Sequence, residues 1–523
     1  MLDNPQSPLP TAPAPGPDAR PNRRLLAGYG ATVFLSSALL LVLEIVAGRL
    51  VAPYVGVSLY TWTSIIGVIL AGLSLGNWLG GVWADNGATG RSVGWVLAAG
   101  GLYCLASLAL LGPLGAAVQQ QGLTLLAASF TLAAVLFLVP AALIGVVTPL
   151  LTTLALKLDP RAGHVVGRMH ALAAIGSIAG TFAAGWWLVQ SFGTRVVVLG
   201  TGLALLGLAL PFLRPATRPA RVLLLAAVLG AGALAALSGG LRSTCDRESA
   251  YFCIRVVEQP AVAAPGTARG LVLDHLLHGI NHLAEPDLLI APYVHGLDEL
   301  AYTHFQGAYD DGLRWFFAGG GAYSQPRAVA ALSPGSRITV AELDPLVTLT
   351  AAESLGLEPA GLTILHRDAR VALAATEGRF DVIVGDVFHD VAIPFHLVTA
   401  EFAALVRSRL AADGLYLMNV VDTFPDPRLI KAIAKTLATQ FRHVDIWMDR
   451  VPDAPRVTFI ISATNGPRLP ETVPARRGFR RAWSRMTEDI LDFGTPPTEI
   501  PLLTDDYAPV ERLIAGLLLG KDG

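Results

Sequence analysis

The sequence predicts a two-part fold: an α-helical transmembrane bundle of seven spans, then a small β-sheet leading into a doubly wound, mostly parallel α/β domain. Three observations predict it. Apolar stretches long enough to cross a bilayer recur seven times before about residue 240. After residue 310, short apolar runs alternate with segments of helical spacing. Between the first two of those runs lies a triple glycine, Gly319 to Gly321, in WFFAGGGAYSQPR.

The composition fits this division. The 523 residues leave room for more than one domain, and 53% are hydrophobic while only 15% are charged. A soluble domain has about 25% charged residues. The net charge of −2 and the lack of a basic patch with interleaved aromatics argue against a nucleic-acid partner. No Cys/His cluster has the spacing of a zinc site, so no metal is expected.

Residues 1–24 are rich in Pro, Ala and Asp, end in RPNRR, and read as a disordered tail without a cleavable signal pattern. The seven spans lie near 26–50, 60–84, 93–117, 122–152, 169–191, 194–213 and 221–240, each near the roughly 20 apolar residues that a helix needs to cross a bilayer. The lipid bilayer is therefore an expected partner. Small residues in GLSLGNWLGG and AAIGSIAGTFAAG predict close helix packing. Pro140 and Pro149 predict a kink in the fourth span.

Arginine placement gives an orientation. Arg20, Arg23 and Arg24, then Arg91, then Lys157, Arg161 and Arg168, then Arg214, Arg218 and Arg221 fall in alternate connections, whereas the others hold only Arg49 and Arg195. This predicts a multi-pass protein of the cell (inner) membrane with a cytoplasmic N-terminus, and with seven spans an extracytoplasmic C-terminal domain. Glu44, inside the first span, is either a functional intramembrane acid or the partner of a neighbour such as Arg49. Asn77 and His170 read as structural. Cys104 reads as a small buried hydrophobe. Cys245 and Cys253 are either two unrelated thiols or a local disulfide, which would require an oxidising compartment.

Residues 241–309 read as a small β-rich subdomain with strands in YFCIRVVEQ and RGLVLDHLLHG. From 310 to 523 the strands are expected in WFFAGG, ITVAEL, LTILHRD, FDVIVGD, GLYLMNV, HVDIWM and VTFIISA, with one of the last two antiparallel because their connection is short. Ligands of such sheets bind beyond the carboxyl ends of the strands. Glu342, Asp344, Asp368 and Asp386 fall there, one strand end after another. A single acid at such a place is often a helix cap, but four imply a shared crevice. With glycines that admit a ligand to the backbone, the pattern suits a nucleoside: Glu342 for ribose hydroxyls, Asp368 for an adenine amino group. Asp344 is either part of that site or a cap. Asp386 lies where a reacting group would sit, as an acid able to take a proton from an amine. Asp390 and His389 follow closely, and His389 reads as a surface loop residue.

These residues resemble the spermidine synthases, the polyamine aminopropyltransferases, and more closely the multi-spanning membrane proteins fused to a spermidine synthase-like domain. The resemblance rests on LEIVAGRLVAPYVGVSLYTWTSIIGVILAGLSLGNWLGG, LVLDHLLHG, GGGAYSQPR, VAELDP, HRDARVAL, FDVIVGDVF, IPFHLVTAEF and LTDDYAPVERL, and covers nearly the whole chain after residue 25. It implies a Rossmann-like, methyltransferase-type domain that moves an aminopropyl group from decarboxylated S-adenosylmethionine to putrescine or a related amine. It implies that Gly319, Gly320, Gly321, Glu342, Asp344 and Asp368 hold the nucleoside and that Asp386 is the catalytic acid. Asp274, His278, Tyr293 and Asp390 fall to the amine side. Soluble relatives of this kind are oligomers, so the resemblance also implies a homodimer. Three positions depart from the family pattern. Ala322 stands where the GGGDGG motif has its acid, His278 replaces a glutamine, and Asp390 follows Asp386 without a directly following proline. Two other readings fit the same pocket: another S-adenosyl-nucleoside transferase such as a methyltransferase, or a non-catalytic nucleoside- or polyamine-binding module serving transport or sensing.

Overall fold

A computed structural model describes residues 22–121, 123–213, 217–388, 392–450 and 455–519. Most of the expected tail lies outside the described residues. Its last two residues, Arg23 and Arg24, instead begin the first helix, because the Asn22 side chain accepts from the Leu25 amide and caps it.

Among the described residues, six helices are long and apolar enough to cross a membrane: α1 (Arg23–Val55), α2 (Leu59–Asp85), α3 (Gly90–Gln120), α4 (Leu125–Leu156), α5 (Ala162–Phe192) and α6 (Thr194–Leu213). The expectation of seven is corrected here. The seventh stretch does form a helix, α7 (Arg218–Leu237), but its apolar part is only Val222–Leu237. Arg218 and Arg221 occupy its start and a Ser-Gly-Gly sequence follows it, so the run falls short of about 20 apolar residues. α7 still carries the chain back to the end of the bundle where α1 finishes. Gly240 lies against the Leu108 carbonyl of α3, and its own carbonyl accepts from Arg195 at the start of α6.

Small residues let the helices approach closely. A Cβ at Gly76 would lie 2.0 Å from the Ala142 carbonyl oxygen of α4, and Gly176 and Gly180 of α5 meet the Phe34 and Ala38 carbonyls of α1 in the same way. In α4 a π-helical turn spans Ala134–Leu138, just ahead of Pro140. Proline has no amide hydrogen for the preceding turn, which widens instead.

The remainder of the chain stands on that end of the bundle. Arg49 of α1 donates to the carbonyls of Ser249 (2.6 Å) and Ala250 (2.7 Å). Glu248 accepts from the Thr194 amide (2.7 Å) and hydroxyl (2.6 Å), and Glu511 accepts from the Leu59 amide at the start of α2. A four-stranded antiparallel sheet comes first: β1 (Arg247–Glu248), β2 (Cys253–Glu258), β3 (Ala268–Leu273) and β4 (Leu276–His282). Cys245 and Cys253 are joined by a disulfide at its edge. RGLVLDHLLHG is thus a hairpin rather than one strand, turned at Asp274, whose φ of 53° is one that Asp adopts more readily than most residues.

Helix α8 (Pro292–Phe305) leads into the large sheet, where β5 (Arg314–Ala318), β6 (Arg337–Ala341), β7 (Leu362–Leu365), β8 (Phe380–Gly385), β9 (Leu410–Thr423), β10 (His443–Met448), β11 (Arg456–Thr464), β12 (Thr472–Pro474) and β13 (Ala482–Arg485) line up as β12-β13-β10-β11-β9-β8-β5-β6-β7. Strands β5 to β9 are mutually parallel, and β11 runs antiparallel to both β9 and β10. The longer helices are α9 (Ser324–Leu332), α10 (Pro345–Ser354), α11 (Ala369–Ala375), α12 (Ala400–Arg409) and α13 (Arg428–Leu437). Both faces of the parallel strands are covered: Trp315 and Phe317 enter one apolar core, Phe316 the other. This explains why these strands read as unbroken apolar runs rather than as alternation.

If the glycine contacts hold α2 and α4 together, Gly76→Leu should destabilise the folded chain by about 1–3 kcal/mol or more through overpacking. Gly81→Ala, where a Cβ meets nothing within 4 Å, should stay within about 0.5 kcal/mol. Unfolding of the full chain in detergent measures both.

Candidate active site

The site grows from the turn after β5. Gly319 and Gly321 have φ of +93° and +50°, and a Cβ at Gly319 would lie 2.3 Å from the Asp386 carbonyl oxygen. At Gly319 a side chain is excluded by both conformation and space, at Gly321 it is disfavoured by conformation. Glu342, directly after β6, reaches back to this turn. Its Oε2 accepts from the amides of Gly320 (2.9 Å) and Gly321 (3.2 Å), and its Oε1 from the Asp344 amide (2.9 Å). Burial pushes the Glu342 carboxyl above its ordinary pKa, and the three amides oppose that shift.

Asp368 follows β7 and caps α11, accepting from the amides of Arg370 and Val371 through Oδ1. Its Oδ2 lies 2.8 Å from His396 Nε2. Burial acts to raise its pKa, but His396 and the two amides outweigh burial and hold it below the usual range. Asp386 follows β8. Burial drives its carboxyl up to about 6, against hydrogen bonds from Asn419 Nδ2, at 2.9 Å, and from the Tyr293 phenol. Tyr293 keeps its proton: burial and then the Asp386 charge push its pKa well above the ordinary value.

Tyr293 is held by α8, whose next turn is anchored in the interior. Asp298, fully buried, accepts from the Tyr309 hydroxyl (2.6 Å) and Arg477 (2.6 Å), and Glu299 accepts from Arg476 Nε (2.8 Å). His278 on β4 stands beside it, with its carbonyl 3.4 Å from the Tyr293 hydroxyl. Burial, then His275 and Arg456, push the His278 pKa down to about 4, so its ring is neutral at neutral pH.

One cavity of about 730 Å³ collects most of these groups: Gly319, Gly321, Glu342, Asp368, Asp386 and His278 all line it. That volume is in the range of small-molecule sites. Not every expected residue joins them. Asp344 is 2% exposed and caps α10 through the Leu346 amide, away from the cavity wall. Asp274 is also elsewhere: it accepts from the Cys253 amide at 2.9 Å and lines a separate crevice with Arg49. Its hairpin needs that carboxylate to tie the turn to β2, which turns it from the site. Asp390 and His389 lie outside the described residues. Among the described residues, no group of three or more His, Cys, Asp or Glu is placed to hold a metal ion.

The structure also brings in residues whose role spacing could not reveal. His396 pairs with Asp368, and Arg370 binds Asp505 through both oxygens, each at 2.7 Å. Asn419 holds Asp386 from the middle of β9. His396 and Asp505 sit in IPFHLVTAEF and LTDDYAPVERL, so the motifs carried the signal but not the partners.

Removing either donor to Asp386 should raise its pKa further, since both bind the charged form. Asn419→Leu and Tyr293→Phe are each expected to move the titration up from about 6 by about one unit, the worth of one hydrogen bond to a charged group. Carboxyl-labelled NMR titration reads this directly, and a downward shift would contradict the geometry.

Comparison with known proteins finds similarity to polyamine aminopropyltransferases. No family model matches the chain. It is 29% identical over 213 residues, 37% of its length, to a probable polyamine aminopropyl transferase of Bifidobacterium longum. It is 34% identical over 114 residues, 21% of its length, to a polyamine aminopropyltransferase of Vibrio vulnificus. The matches span 47% and 38% of those relatives, so the chain covers half or less of each. Among solved structures it resembles a probable spermidine synthase of Corynebacterium glutamicum (TM-score 0.43, 22% identity, covering 50% of this chain and 97% of that one). It also resembles the spermidine synthase of Thermotoga maritima (TM-score 0.34, 18% identity, 54% and 88%). Part of this chain, about a third of its length, is therefore similar in sequence to polyamine aminopropyltransferases.

Proposed function

We propose that this chain transfers an aminopropyl group from decarboxylated S-adenosylmethionine to an amine, putrescine or a related one. The single observation that carries this reading is the convergence of Glu342, Asp368 and Asp386 with the glycine turn on one cavity. In this reading the ribose hydroxyls meet Glu342 and the adenine lies toward Asp368. The amine nitrogen attacks the methylene next to the sulfonium, the carbon–sulfur bond breaks toward sulfur, and methylthioadenosine leaves. The sulfonium supplies the leaving group, so the protein contributes placement and a proton acceptor. Asp386 is that acceptor, and Asn419 and Tyr293 aim it. Asp344 supports the site by capping α10, and Asp274 by joining the hairpin to β2.

The same reading places the protein in the cell membrane as a multi-pass protein. The arginine-rich N-terminus is cytoplasmic, and α7 returns the chain to the opposite end, so the catalytic part faces outward. Cys245–Cys253 suits that oxidising side. A Ser408→Cys variant should then react with a membrane-impermeant maleimide on intact cells, and labelling only after lysis would reverse the orientation.

Full-length protein in detergent, given decarboxylated S-adenosylmethionine and putrescine, is expected to release methylthioadenosine, and Asp386→Asn should lower kcat by about 10²-fold or more. The rate should fall as pH drops through about 6, because the acceptor must be ionised and burial holds Asp386 near that value. Release of S-adenosylhomocysteine from S-adenosylmethionine instead would assign methyl transfer, and nucleoside binding without either product would leave a binding module.

A further inference from the structure

The loop that joins the helix bundle to the small sheet is closed by a covalent bond that the proposed reaction does not use. Cys245 and Cys253 are linked across a sequence separation of 8. The residues between them reach in three directions. Glu248 holds the start of α6 through the Thr194 amide and hydroxyl, and the Ser249 and Ala250 carbonyls hold Arg49 of α1. Arg247 pairs with Glu353 near the end of α10. Phe252, directly before Cys253, lines the main cavity with Gly319, Gly321 and Asp386. One short loop therefore touches the membrane-length helices, a helix of the large sheet and the cavity wall.

Apart from the disulfide, the loop is joined to β2 by β1, which is 2 residues long, and by Asp246, whose carboxylate accepts from the Val256 amide at 2.7 Å. Strands in globular proteins usually run to about 3–10 residues, so the cross-link fixes what so short a ladder holds weakly. The bond is also placed for exchange. Cys245 is partly exposed, whereas Cys253 is 4% exposed. Both line a crevice of about 20 Å³ that Arg49 also lines. Arg49 Nε is buried without a hydrogen-bond partner among the described residues. A guanidinium beside a cysteine favours the thiolate, and a stabilised thiolate leaves faster in thiol–disulfide exchange.

We propose that Cys245–Cys253 is a reversible thiol–disulfide site, open to a dithiol reductant, whose reduction frees the loop from the bundle and takes Phe252 off the cavity wall. One thiolate of the dithiol attacks Cys245 Sγ, the sulfur–sulfur bond breaks, and Cys253 leaves as a thiolate beside Arg49. The second sulfur of the dithiol then attacks the first and expels Cys245. The protein disulfide takes up two electrons and two protons, and the dithiol becomes a disulfide. The oxidised form is the one with a complete cavity wall, whatever ligand the cavity takes.

The test treats the full chain in phosphatidylcholine nanodiscs with dithiothreitol at neutral pH, without denaturant. Iodoacetamide followed by mass spectrometry should then find two labelled cysteines. Cys104, at 0% exposure in the bundle, should stay unlabelled and reports an intact fold. In a reduced sample that is not alkylated, hydrogen exchange over residues 246–256 should speed up by about tenfold or more, and reoxidation should reverse it. Methylthioadenosine should bind the reduced form more weakly by about fivefold or more, the worth of an aromatic side chain lost from the wall. The double variant Cys245→Ser, Cys253→Ser should show the fast exchange under oxidising conditions and ignore dithiothreitol. No labelled cysteine in the folded protein, three labelled cysteines, exchange unchanged by reduction, or methylthioadenosine bound equally by both forms overturns the inference. Absence of methylthioadenosine binding in either form contradicts the adenosyl reading instead, and the labelling and exchange rates then decide. Reduction is performed on the unaltered chain, so the result stands even where the double variant fails to fold.

Discussion

Three amide hydrogens on one buried carboxylate hold the site together. Glu342 ties Gly320 and Gly321, after β5, to Asp344, after β6. It thereby fixes the ends of two neighbouring parallel strands and the bend between them. Each such hydrogen bond to a charged group contributes about 1.5–3 kcal/mol, and a buried carboxylate left without them would take up a proton. Gly319 in turn leaves no room for a Cβ against Asp386, so the positions of the glycine turn and of Asp386 are coupled through the backbone. A ligand that hydrogen-bonds Glu342 must compete with, or share, the amides that already hold it.

Around that centre, each acid has a different task because its neighbours differ. Asp368 is kept ionised by His396 and two amides at a helix start. Asp386 is kept near neutrality's edge by burial, moderated by an amide and a phenol. Pairs of carboxyls driven apart in this way are a common signature of chemistry rather than of packing. Asp344 and Asp274 show the other outcome, carboxylates consumed by a helix cap and a hairpin.

Much of this was legible from sequence, for physical reasons that differ by element. The strands of the parallel sheet announce themselves because both faces are buried, which makes WFFA and DVIVG unbroken apolar runs. The glycine bend and the acids after β6, β7 and β8 are readable because the fold puts ligands at strand ends. Spacing could not separate Asp344 from Glu342, since an acid that caps and an acid that lines a cavity occupy equivalent positions along the chain. Nor could it find Asn419 or the pairing of Arg370 with Asp505, which are 33 and 135 residues distant from their partners. The seventh span failed for a different reason: its charged start and glycine end shorten the apolar run without preventing the helix.

We propose that an adenosyl group occupies the cavity against the Glu342-bound turn. Equilibrium binding of methylthioadenosine to the full-length protein, by calorimetry, measures this. Saturable one-site binding is expected, weakened by about 10- to 100-fold in Asp368→Ala, the loss of one hydrogen bond to a charged group, and abolished in Gly319→Val. Absence of binding to the unaltered protein, or binding indifferent to both substitutions, would contradict it.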